Sequence, residues 1–465
     1  MDRLVLKNAR LIDGTGAPPR EGATVMVEGG KISDVRYGVS SEELDGGMLD
    51  RLEPHEREIV RKRYGLEGSR AYSRPELAAE MGVAPNQLRG VETRILLKLK
   101  KHGAEGSSPG PDEEGAQVID VQEATLMPGL INAHCHVMMD AGPDPIAAMA
   151  RTNLAQAVVK ALKRCEAMLK AGITTARDLG GYEWGELALR DAFASGELRG
   201  PRLMCAGKVI TMTGGHGWDI GLESDGPDAV RKSARLNLKK GVDCLKFMAT
   251  GGVLTPGVEP GATQLSEAEM RAGVEEARNV GKRTASHAQG TSGIKNALRA
   301  GIDTIEHGIF LDEECIEMML KQGSVFVPTL AAPYRIVEAG EAKGIPAYAL
   351  RKSLAVMGAH RRSFEWAAQA GVTIAAGNDG GTPFNPSDDL VTEMRLMVEY
   401  GMSALGAIRA ATLGSARALG LSEEVGTVQK GMWADLIVLE EDADPVADIG
   451  ALGRVGMVVK RGVVV

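Results

Sequence analysis

The chain has no uncharged apolar run approaching ~18 residues, so no membrane span is expected. It also lacks a basic N-terminal region followed by an apolar core. Met1-Asp2-Arg3-Leu4 enters a strand-like pattern directly, so no signal peptide is expected. Cysteine is scarce. The five residues at 135, 165, 205, 244 and 315 are scattered and odd in number, which fits a reducing cytoplasm better than a disulfide framework. An excess of positive charge is missing too: the formal net charge of −8 argues against wholesale nucleic-acid binding.

What remains is an ordinary globular composition over 465 residues, enough for two or three domains. One stretch organises the rest. Leu126–Val137 is an apolar run that passes through Pro128-Gly129 and ends in His134-Cys135-His136. On a strand, side chains alternate faces, so His134 and His136 point the same way and Cys135 points away. Two imidazoles on one face at a strand end are a ready metal pair. Taken alone they are equally well two buried, hydrogen-bonded histidines.

Short strand patterns separated by Gly-rich turns occupy residues 3–37, resume at Gln117–Asp120 and return at Ala434–Leu439 and Val455–Gly462. This predicts a small β-sandwich domain built from both termini, over residues 1–39, 115–125 and 419–465. Residues 40–114 interrupt it. From Asp50 to Lys101, twelve Lys/Arg face eight Asp/Glu, which leaves the rest of the chain at −12. Residues 52–66 resemble the opening of sigma-factor region 4, and Glu76–Val83 through Arg89–Arg94 resemble its helix-turn-helix. Gly82 stands where a tight interhelical turn needs it. The chain departs from that family at Pro85-Asn86-Gln87 and Gly90, where base-reading residues are expected. A solvated helical insert used for packing or assembly therefore stands beside DNA binding, and nucleic acid is not the expected partner.

Between residues 126 and 418 strands and helices alternate. Strand-like ends follow the first at 173–178, 202–206, 243–248, 283–287, 303–307, 324–328 and 373–379, with helical stretches such as Ala155–Lys170, Ser266–Val280 and Ser292–Ala300 between them. Eight βα units predict a (β/α)8 TIM barrel, an α/β fold whose functional residues sit at the C-terminal strand ends. Metal-capable groups stand at five of these ends: His134/His136, Lys246, His287, His307 and Asp379. His55, His102 and His360 read as ordinary.

Pro128–His136, Lys246 in Leu-Lys-Phe-Met-Ala-Thr-Gly-Gly, His287 in Ser-His-Ala-Gln-Gly, His307 in Glu-His-Gly, Asp379 in Gly-Asn-Asp and the segment Gly426–Leu436 occur in one order. Together they resemble the amidohydrolase superfamily over everything except the insert. The resemblance implies a binuclear centre of two divalent ions, zinc first and cobalt or manganese as alternatives. His134, His136 and Asp379 would hold one ion and His287 and His307 the other. Lys246, carboxylated by carbon dioxide, would bridge both. A metal-bridging hydroxide would be the nucleophile, and Asp379 would carry its proton to the leaving nitrogen. An unmodified Lys246 paired with a carboxylate is the alternative.

Thr213–Trp218 resembles the loop after the third strand in the Xaa-Pro dipeptidase and imidazolonepropionase-like branch. This makes His216 a candidate oxyanion donor, with a loop-stabilising role as the alternative. Trp218 and Tyr334 are candidate substrate contacts, Tyr334 against a packing role, and Arg177-Asp178 reads as support behind the ligands. Leu265 stands where dipeptidases of this branch carry a carboxylate-anchoring tyrosine. The nameable strand-end loops hold few cations. Similarity to phenylurea and thiocarbamate hydrolases then suggests a small, fairly neutral substrate carrying an amide, urea or carbamate bond. A dipeptidase or N-acyl-amino-acid hydrolase, and a DNA-binding regulator on an inactive barrel, are the other classes. A homo-oligomeric cytoplasmic enzyme is expected.

Overall fold

The computed structural model describes residues 3–37, 52–64, 72, 74–84, 87, 88, 91, 95 and 115–465. The chain opens with an antiparallel run, β1 (Arg3–Leu11), β2 (Arg20–Glu28) and β3 (Lys31–Tyr37). After the insert come β4 (Gln117–Asp120) and β5 (Thr125–Pro128), which pair with β1 in parallel. The central strands are β6 (Leu130–Cys135), β7 (Ile173–Asp178), β8 (Arg202–Cys205), β9 (Val209–Thr211), β10 (Gly221–Glu223), β11 (Cys244–Met248), β12 (Arg283–Ala288), β13 (Thr304–His307) and β14 (Val325–Val327). The chain closes with β15 (Leu436–Leu439), β16 (Val455–Lys460) and β17 (Val463–Val464).

The strands from the two ends of the chain form one eight-stranded sheet in the order β17-β16-β15-β5-β1-β2-β3, with β4 on β1. Where a two-layer sandwich was expected, the pairing is continuous. Its register breaks inside β1, in the β2–β3 pair and in the β15–β16 pair, where irregularities bend a sheet. Leu4, Leu6, Leu11, Val25, Leu126 and Leu436 fill its core.

The central strands are parallel, and β6, β7 and β11 are buried on both faces, as expected of a parallel sheet covered by helices. Amphipathic helices cover them. Leu154–Lys170 is capped by Asn153 and buries Ala157, Ala161, Cys165 and Met168 at helical spacing. Glu267–Asn279 starts with a Ser266/Glu269 capping box.

The parallel strands fall into two sheets, β6-β7-β8 and β10-β9-β11-β12-β13-β14. Two local features divide what was expected as one eight-stranded set. After β8 the chain turns at Gly207, whose φ of +69° and close approach to Trp184 admit no side chain, and then restarts as β9. The expected strand at 373–379 is reduced to single bridges, Phe326 to Ile374 and, just past it, Cys135 to Gly380, and it ends at Asp379 with a φ of +56°. Backbone hydrogen bonds still join the two sheets. Asp243 N donates to Cys205 O, Phe326 N to Thr373 O, and Ala133 N to Ala376 O.

Within the insert, helices Pro54–Tyr64 and Arg74–Met81 pack through Ile59, Val60, Leu77 and Ala78. Gly82 takes the left-handed conformation just past the second helix. Pro85-Asn86, Arg89-Gly90 and 92–94, in the segment compared with the recognition helix, lie outside the described residues. Arg63 reaches Glu21 of β2 at 3.7 Å.

Candidate active site and metal centre

His134 sits near the end of β6 and His136 one residue past it, both buried. Alternation turns Cys135 the other way, and its thiol donates to the carbonyl of Arg177. Asp379 N donates to His134 O at 2.9 Å, and the positive φ of Asp379 swings its carboxylate between the two imidazoles. Asp379 Oδ1 lies 3.2 Å from His134 Nε2 and 3.1 Å from His136 Nε2. The three ligand atoms lie within 4.8 Å of one another.

Four histidines are each held at one ring nitrogen by an oxygen acceptor, which leaves the other nitrogen for the cavity. His134 Nδ1 donates to Glu306 Oε2 at 2.8 Å, and His136 Nδ1 to Gly180 O at 3.1 Å. His287 Nε2 donates to Gly251 O at 2.9 Å. Thr329 gives its own proton to Pro328 O, so its oxygen accepts from His307 Nδ1 at 2.7 Å. In each ring the other nitrogen is the one left for a metal, which binds the neutral imidazole. The ring centres of His134 and His307 lie 5.2 Å apart, those of His287 and His307 4.4 Å, and those of His216 and His287 4.3 Å.

The electrostatics agree with that use. Burial holds His287 and His307 well below the usual histidine range, so both are neutral. Burial opposes the charge of Glu306, but the Arg177 guanidinium at 2.9 Å and the His134 contact override it and bring the carboxyl down to about 2. Burial likewise opposes the Asp379 charge, and His134 and His136 outweigh it, which keeps that carboxyl well below its ordinary value. Lys246, 1% exposed, is pushed down to about 8 by burial. His134 Nε2 is the informative atom. It is buried and has no hydrogen-bond partner, although Asp379 Oδ1 lies 3.2 Å away. An orphaned imidazole nitrogen beside a second imidazole nitrogen and a carboxylate oxygen is the donor set of a divalent ion.

All six expected ligands line one cavity of about 870 Å³, counted out to its mouth. Among the described residues, His134, His136 and Asp379 converge closely enough to share an ion, and Lys246, His287 and His307 stand around the same space. His216 lines it too. Its Nδ1 lies 2.8 Å from Thr255 Oγ1, its backbone N donates to Gln264, and its ring packs against Gly252, where a Cβ would sit 2.4 Å from Nε2. Burial pushes His216 down to about 3.

Two expected substrate contacts lie elsewhere. Trp218 is 48% exposed, and its neighbours Gly217, Asp219 and Ile220 line the cavity instead. Tyr334 packs against the core with its hydroxyl 3.4 Å from Glu338, while Ala332, Pro333 and Ile336 form the inward face of its helix. Four residues passed over in the sequence belong to the site. Glu306 orients His134, Thr255 holds His216, Gln289 lines the cavity, and His360 lines it while donating to Pro328 O at 2.7 Å. Glu306 shares a face with Thr304, two residues earlier, and both meet Arg177.

A family model described as "Amidohydrolase family" matches residues 125–465. The chain belongs to the amidohydrolase family. It is therefore an enzyme that hydrolyses carbon–nitrogen bonds. Among curated relatives, the ochratoxinase of Aspergillus niger is 31% identical over 353 residues, covering 70% of this chain and 71% of that protein. The crystal structure of a Xaa-Pro dipeptidase with bound methionine superposes with a TM-score of 0.77 at 26% identity, spanning 100% of this chain and 99% of that one. Phenylurea hydrolase B shares the fold with a TM-score of 0.70 at 22% identity, over 100% of this chain and 96% of that one. No described helix is long and apolar enough to cross a membrane.

Proposed function

We propose that this amidohydrolase cleaves an amide, urea or carbamate C–N bond of a small, fairly neutral molecule at a binuclear metal centre. In this reading the two parallel sheets and the segment at 373–380 act as one (β/α)8 barrel. His134, His136 and Asp379 would hold one divalent ion and His287 and His307 the second. A carboxylated Lys246 would lie between them, and zinc is the first choice of metal. The orphaned, buried Nε2 of His134, facing His136 and Asp379, carries the proposal. When bound, the ions supply a Lewis acid and acidify a water toward neutral pH.

The protein's own groups do the rest. Burial raises the share of free amine on Lys246, the form that adds carbon dioxide and releases a proton. Asp379 accepts the proton of the attacking water and delivers it to the leaving nitrogen. His216, neutral through burial and aimed by Thr255, donates a hydrogen bond to the scissile carbonyl oxygen. Leu265 is fully buried in the apolar core, so the place where dipeptidases of this branch anchor a carboxylate offers none here.

The test is metal analysis beside turnover of a panel of amides, ureas, carbamates and Xaa-Pro dipeptides. Wild type is expected to carry about two divalent ions per chain. Lys246→Ala is expected to lose metal and activity together. Full activity in that variant would refute the bridging lysine, and turnover confined to the dipeptides would refute the neutral substrate.

A further inference from the structure

The cavity walls are largely apolar, with Met139, Ile146, Ile220, Met248, Leu254 and Ile336 around the space above the histidines. Among the described residues that line it, Lys246 is the one lysine or arginine, and it lies buried on the floor. Among the described lining residues, no cation stands at the mouth to receive a substrate carboxylate. Asp219 stands there instead, exposed and in no ion pair among the described residues. A carboxylate entering this space would meet Asp219 at the mouth.

One side chain in the wall is unmatched. Gln289, two residues beyond His287, is 4% exposed, and its Oε1 has no hydrogen-bond partner in the protein. Its backbone is fixed from both sides, by N–H donation to Thr250 Oγ1 and by Phe310 N donating to its carbonyl. A buried amide oxygen left without a donor costs free energy that a ligand N–H would recover. We infer that Gln289 is a specificity-determining residue that accepts a hydrogen bond from a substrate N–H outside the scissile group, and that Asp219 turns away substrates ending in a carboxylate. The substrate class is then an apolar molecule, neutral or cationic, with an N–H donor. Dipeptides and N-acyl amino acids with a free carboxylate fall outside it. This inference rests on the reading that the cavity is the substrate site.

The test uses the metal-loaded full chain and four aryl ureas of one scaffold, ending in methyl, carboxamide, primary amine or carboxylate. In wild type, kcat/KM for the carboxamide and amine members is expected to exceed that for the carboxylate member by about tenfold or more. Asp219→Asn narrows the gap between amine and carboxylate. Gln289→Leu lowers the ratio of carboxamide to methyl member by about tenfold, with metal content unchanged. Calorimetric binding of the same four compounds separates the two readings. Binding in this order without turnover upholds the selectivity and removes the hydrolase mechanism. A preference for the carboxylate member, ratios that neither variant moves, or no binding by any member overturns the inference.

Discussion

Arg177 shows how one side chain can organise a site it does not enter. Its guanidinium is buried, donates to Ala133 O at 2.7 Å and to Glu306 Oε1 at 2.9 Å, and so keeps Glu306 ionised behind His134. An ionised acceptor makes the His134 ring a stronger ligand and fixes its orientation. Glu306→Gln is therefore expected to weaken metal binding by about 10–100-fold, read by chelator competition. It also leaves a buried guanidinium without its counter-charge, at a cost of about 3–5 kcal/mol in urea unfolding. Unchanged metal affinity would show that the contact does not orient the ligand. Gly252 makes the same point through space rather than charge. A methyl group there would sit 2.4 Å from His216 Nε2, so Gly252→Ala must displace the imidazole. A displacement near 1 Å at a reacting centre costs about 100-fold. The expected loss is of that size in kcat, with metal content retained by elemental analysis.

At the scale of elements, the loop after β11 is held by the helix Ala347–Ala370 as well as by its own backbone hydrogen bonds. Lys352 Nζ donates to Gly252 O at 3.3 Å, Thr255 O at 2.8 Å and Val258 O at 2.5 Å, and Tyr348 donates to Leu254 O at 3.0 Å. Burial lowers the Lys352 pKa, opposed by the charge of Glu259. Lys352→Met removes the donor that the three carbonyls share. The expected result is a loss of about 1–3 kcal/mol and faster amide hydrogen exchange over 251–258, read by mass spectrometry. Native-like exchange there would mean that the loop holds itself. Nothing in the sequence marks this lysine, because its partners are backbone carbonyls about a hundred residues away. The strand ends were legible for the opposite reason. His134 and His287 sit in short motifs whose period-two alternation decides their direction locally, whereas His307 is turned by a positive φ of +70°. The break at Gly207 and the loss of a regular strand before Asp379 were not legible, since both depend on which neighbour the backbone meets. Trp218 and Tyr334 were misplaced because loop and helix starts have no fixed phase until they pack.

At the scale of the molecule, the C-terminal strands are tied to the parallel strands by a buried carboxylate. Asp435, just before β15, receives Lys460 Nζ of β16 at 2.6 Å and Arg461 N at 2.8 Å, and lies 3.4 Å from Arg202 at the start of β8. Its own carbonyl accepts Gly129 N, at the turn leading into β6 and the first metal-capable histidines. Burial pushes its carboxyl up, but Lys460 and Arg202 outweigh that and lower it below the ordinary range. The sign follows from linkage. The folded pKa is below the unfolded value of about 3.9, so this stabilisation is fully present above about pH 4 and is lost as pH falls through the folded value. Urea unfolding of the full chain, followed from neutral pH into acid, should therefore show wild-type stability declining at the acid end. Asp435→Asn should start lower, by about 3–5 kcal/mol, because Lys460 and Arg202 lose their shared anion. It should also show a shallower acid decline, since the group that titrates is gone. Equal acid slopes in the two proteins would place the acid sensitivity elsewhere, and the joint would then be held by its backbone hydrogen bonds rather than by charge.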